Sequence, residues 1–86
     1  MRIFGASPWT RTAIANLTAD ELEAIDAMLP DGMTVTLGAA RRPGNWTVFL
    51  IATTAAGHPE QVYRLDGVWN IPAGVQTAVN RWRAAA

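Results

Sequence analysis

No cysteine and no lysine occur among the 86 residues, and histidine and serine appear once each, as His58 and Ser7. Without cysteine there is no disulfide, no thiolate nucleophile and no thiolate metal site, a composition that fits a reducing cytoplasm. One histidine and scattered carboxylates leave no metal-ligand cluster. A nucleophilic relay would have to be assembled from Ser7, His58 and Asp66, yet there is no G-x-S-x-G elbow and "GHP" reads as an exposed turn. "GAARRPG" lacks both the spacing and the lysine of a phosphate-binding loop. Glu23 and Asp26, three apart, read as part of a solvated stripe. The expectation is a protein that is not an enzyme and carries no cofactor or metal.

Long apolar runs are also missing. "VFLIA" is far short of the roughly 20 residues that span a bilayer, and no apolar segment follows Met1-Arg2 as in a secretory leader. A cytoplasmic protein with no membrane partner is expected. The triplets "NLT" and "NWT" then match glycosylation acceptors by coincidence.

Seven arginines balance seven acids, so no net field draws the molecule to polyanions. The charges are nevertheless polarised along the chain. Residues 1–38 hold two arginines against five acids, and residues 39–86 hold five against two. Using arginine alone as the cation, with abundant alanine, suggests a GC-rich source. Half of the residues are hydrophobic and 16% are charged, which is the composition of one folded domain over residues 1–86. A chain of this size buries only roughly 60–65% of its unfolded surface, so its stability margin is thin.

Along the chain, "RIF" reads as a brief strand or an apolar plug. "SPWTRTAIANL" fits either a short helix capped by Ser7 with Pro8 first, or an alternating strand. "LTADELEAIDAMLPDG" is a capped amphipathic helix: Thr18 and Glu21 form a capping box, Leu22, Ile25 and Leu29 share a stripe, and Pro30-Asp31-Gly32 ends it. From Met33 the period becomes two. "MTVTL", "WTVFLIATT" and "QVYRL" read as three strands, with "RRPGN" and "AAGHPE" as turns and Asp66-Gly67 as a tight turn closing the third. "PAGVQTAVNRWRAAA" is a helix whose docking stripe runs through Ile71, Val75, Ala78, Val79 and Trp82. Arg81 and Arg83 flank that stripe and complement the helix dipole. Trp69 is expected to pack under this helix. The expected fold is an α+β two-layer domain: a three-stranded antiparallel β-meander against two helices, in α-β-β-β-α order, with a possible extra short N-terminal strand or helix.

Over residues 18–86 this order of elements resembles the double-stranded RNA-binding domain. The resemblance implies a grip on duplex phosphates through a basic start to the second helix, with groove contacts from the first helix and the first hairpin loop. "PAGVQTAVN" has no basic residue at that start, and the first helix carries Asp20, Glu21, Glu23 and Asp26, which repel a duplex.

The second strand carries the strongest sign of a partner. With helices on one side of the sheet, Phe49 and Ile51 point to the other, with Val62 near them. Their cover is either the N-terminal segment, through Ile3, Phe4, Trp9 and Ile14, or another chain. An open sheet edge offers a second way to bind, by strand addition. Trp46, beside the Arg41-Arg42 turn, is either an interface anchor or the end of the core alongside Val48 and Leu50. The candidate partner-binding residues are Arg41, Arg42, Trp46, Phe49, Ile51 and Arg64. The expected function is a small non-enzymatic protein-binding module, in the setting of a phage or mobile-element accessory or inhibitory protein docking on a larger host protein. The alternatives are a nucleic-acid-binding domain using the arginines of the second half, and a small subunit of a homo-oligomer or larger assembly.

Overall fold

The computed structural model describes residues 1–39 and 45–85. Seven elements follow one another: β1 (Ile3–Gly5), α1 (Pro8–Ala15), α2 (Ala19–Met28), β2 (Met33–Ala39), β3 (Trp46–Thr53), β4 (Pro59–Val68) and α3 (Ile71–Ala85). They form one four-stranded sheet in the order β1-β2-β3-β4. The central pairs are antiparallel, whereas β1 runs parallel to β2 with Ile3 opposite Val35. The expectation of a three-stranded, wholly antiparallel meander on two helices is therefore overturned. The domain is α+β with four strands of mixed direction and three helices.

The difference lies in the first 16 residues. A parallel neighbour needs a long crossover, and α1 and α2 together supply it. The sequence "SPWTRTAIA" resolves as a helix because Ser7 caps it and Pro8 fits its first turn, where no backbone N–H is missed. Thr10 completes the cap: it accepts from the Ser7 N–H at 2.9 Å, and its hydroxyl donates to the Ser7 carbonyl at 2.8 Å. Gly5 lets α1 come down onto β1, since a Cβ there would lie 2.6 Å from the Arg11 backbone nitrogen. At α2, the capping box joins Thr18 and Glu21 through hydrogen bonds of 3.0 and 3.1 Å.

One residue closes the end of α2. The Arg2 guanidinium donates to the carbonyls of Asp26, Leu29, Pro30 and Met33, while the Arg2 backbone N–H donates to Asp26 Oδ1 at 2.8 Å. Helix-end carbonyls have no intrahelical partner, and here a cation answers several at once.

All three helices cover the same side of the sheet. Ile14 of α1, Ile25 of α2 and Val75 of α3 join one buried cluster with Ile3, Val35, Leu37, Val48 and Leu50 from the strands. Two bulges shape β4. Val62 is an extra residue between the Leu50–Tyr63 and Ile51–Gln61 pairs, and Asp66 with Gly67 stand opposite the single Thr47. The tight turn expected at Asp66-Gly67 is thus a bulge with Gly67 at φ 74°, and the strand continues to Val68. Val68 takes the buried place against Gly74, where a Cβ would overlap its methyl groups. Trp69 consequently lies outside, 71% exposed, contrary to the expectation that it packs under α3. Trp82 is partly buried against the core.

Candidate protein-docking face

The alternation of a strand sends neighbouring residues to opposite faces, so the side away from the helices can be read from the register. Phe4, Thr36, Phe49 and Arg64 stand in one row across all four strands. Ile51 lies two residues farther along β3, between Thr34 and Gln61. Phe4 is 49% exposed, and Phe49 and Ile51 are half-buried outside the core cluster. Among the described residues, no element covers this face.

The Phe49 ring has a defined seat. It lies over Gly38, where an added Cβ would come within 2.9 Å of Cε2. On its other flank the Arg64 guanidinium carbon stands 5.6 Å from the ring centroid, within cation–π range. Arg64 is also tied to Asp66, with Nε 3.1 Å from Oδ1. The same oxygen accepts from the Thr47 hydroxyl at 2.9 Å. The hydrogen bond from Thr47, then the bond from Arg64 and its charge, hold the Asp66 carboxyl below its ordinary range against a small opposing desolvation. Among the described residues, aromatic and aliphatic groups thus meet a polar margin in which Arg64 and Asp66 offset one another.

The sequence candidates divide on this geometry. Phe49, Ile51 and Arg64 come together on the open face. Trp46 does not, because it shares the side of Val48 and Leu50 and packs partly against the core. Val62, at its bulge, also packs partly against the core. Arg41 and Arg42 lie outside the described residues. The N-terminal segment does not act as a cover. Ile3 and Ile14 enter the core, Trp9 is 65% exposed on α1, and Phe4 enlarges the face it was expected to shield.

Phe4, Thr47 and Asp66 are members of the site that sequence reasoning missed. A three-residue strand shows too little alternation to assign its faces. Had the parallel pairing been known, the buried Ile3 beside Phe4 would have placed the ring outside.

Both sheet edges are poorly suited to strand addition. β1 offers three residues, of which Ile3 has no exposed surface. β4 begins at Pro59, is interrupted by two bulges and bears Glu60, Arg64 and Asp66. Among the described residues no group of three His, Cys, Asp or Glu side chains is placed to hold a metal ion, and no helix is long and apolar enough to cross a membrane. The chain matches no family model, and the searches of curated proteins and of solved structures return no match.

Proposed function

We propose that this chain is a non-enzymatic binding module that docks on a larger protein through the open sheet face, with Phe49 as its central anchor. The observation that carries the reading is the row Phe4–Thr36–Phe49–Arg64, in which an exposed and a half-buried aromatic ring stand on the sheet face that the helices leave open. Contiguous exposed apolar surface on a small domain marks an interaction site. Aromatic anchors ringed by polar groups are the arrangement in which a few residues carry most of the binding energy. The partner is a protein surface that is apolar at its centre and polar at its rim, because among the described residues Arg64 and Asp66 offset one another beside the Phe49 ring.

Among the described residues, the charge arrangement weighs against nucleic acid. Of the described arginines, Arg2 is engaged with carbonyls and Arg64 with Asp66, Arg11 lies on α1, and Arg81 and Arg83 lie on α3. A phosphate backbone needs several cations on one surface.

The test compares tagged wild type, Phe49→Asp and Gln76→Asp, the last altering an exposed position on α3, at equal expression in source cells. A partner retained by wild type and Gln76→Asp but lost by folded Phe49→Asp supports the reading. Equal retention by all three overturns it.

A further inference from the structure

The open sheet face is small for a stable interface. At about 16 Å² of sheet per strand residue, the four strands span roughly 450 Å² on one side, against about 800 Å² per partner in a stable protein–protein interface. Part of that side is already withdrawn from solvent, since Thr34, Thr36, Phe49 and Ile51 are half-buried and Thr47 is buried. A partner seated there has to reach past one edge of the sheet to bury enough surface.

The two edges differ in chemistry. Along β4 stand Glu60, Arg64 and Asp66, all exposed. Beside β1 a cleft of about 380 Å³ opens against α1 and α2, and its accessible lining is almost wholly apolar. Phe4 belongs both to the row on the open face and to this lining, together with exposed Met1 and Ala15 and half-buried Leu22. Among the described residues the exposed large apolar side chains are Met1, Phe4, Trp9 and Trp69, and three of these four lie on or next to β1 and α1. Apolar surface therefore continues past β1 and stops at charge along β4.

We infer that the protein docked on the open face also wraps past β1 and seats a large apolar side chain, aliphatic or aromatic, in this cleft, with Phe4 as the wall shared by the two contacts. The inference rests on the docking reading and extends it. A charged or strongly polar group would leave water here without a partner, at a cost in free energy, whereas an apolar side chain gains in proportion to the area it buries. The partner segment beside the docked surface thus presents a residue such as Leu, Ile, Met or Phe.

The experiment places p-benzoylphenylalanine in the full chain at position 15, 49 or 76 and maps by mass spectrometry the adducts formed in source cells. Positions 15 and 49 are expected to join the same larger protein, with the position-15 adduct on or beside an apolar residue, and position 76 to give none. With that protein purified, Ala15→Glu, at an exposed helix position, should weaken binding about tenfold or more, while Gln76→Glu leaves it unchanged. Truncating the partner's crosslinked residue to alanine should weaken wild type about tenfold and cost Ala15→Glu nothing further. An adduct from position 49 without one to the same protein from position 15, or full affinity in Ala15→Glu, overturns the wrapping and leaves the docking reading standing. No adduct from position 49 overturns both.

Discussion

The Arg64 guanidinium carbon sits 5.6 Å from the centre of the Phe49 ring while its Nε holds Asp66 at 3.1 Å. A cation placed between a ring face and a carboxylate is oriented by both. Because the site is exposed, the ring contributes about 0.5–1 kcal/mol. A double-mutant cycle on Phe49→Leu and Arg64→Met, read from urea unfolding, is expected to give a coupling energy of that size. A coupling indistinguishable from zero would mean that the two side chains act independently.

Gly38 provides the space in which the Phe49 ring rests, and the atom that an added Cβ would crowd is at the far edge of the ring. Gly38→Ala should therefore fold, with a modest loss of stability, and tilt the ring. A shift of the Phe49 ring proton resonances with unchanged core resonances is the expected result. Gly74→Ala is different, because its Cβ would overlap Val68 in the core. Overpacking of this kind costs roughly 1–3 kcal/mol. At about 4–8 °C per kcal/mol for a domain of this size, the thermal transition should drop clearly.

Arg2→Ala should destabilise the domain by about 2 kcal/mol, because it removes charge-assisted bonds and leaves helix-end carbonyls without their donor. Arg2→Lys should recover only part of this, since one ammonium cannot reproduce the planar fork. Thermal denaturation monitored by circular dichroism would show the order wild type, Arg2→Lys, Arg2→Ala.

Asp66 sets an acid limit. Its folded pKa lies below the ordinary 3.8, so its contribution is present above that value and is lost as pH falls through the lower folded value. The side chain is more than half exposed, and solvent screening keeps the effect small. Urea midpoints measured from pH 5 to pH 2 should fall less steeply for Asp66→Asn than for wild type, and the difference should vanish above pH 5.

The contrast between the two ends of the chain shows what sequence reasoning can reach. The second helix was legible because its signals are local: Thr18 and Glu21 are three residues apart, and Pro30 follows the last apolar position of its stripe. β1 was legible only as one of two options, since the pairing that decides it is with β2, where Ile3 meets Val35 across 31 intervening residues. Gly67 was misread because a positive φ serves a bulge as well as a turn, and only the register against Thr47 separates the two. Trp69 followed from that error. Ending the strand early gave the tryptophan the buried position that Val68 occupies. The open face was legible in part, because β3 alternates plainly at Phe49 and Ile51, but Phe4 reaches it from a strand too short to declare a face.

The most direct test of the docking account is photo-crosslinking from the face itself. With p-benzoylphenylalanine at position 49, or at position 76 as a control on α3, irradiation in source cells should join a specific larger protein to the chain from position 49 only. No adduct from position 49, an adduct with only a second copy of the chain, or the same adducts from both positions would contradict the account.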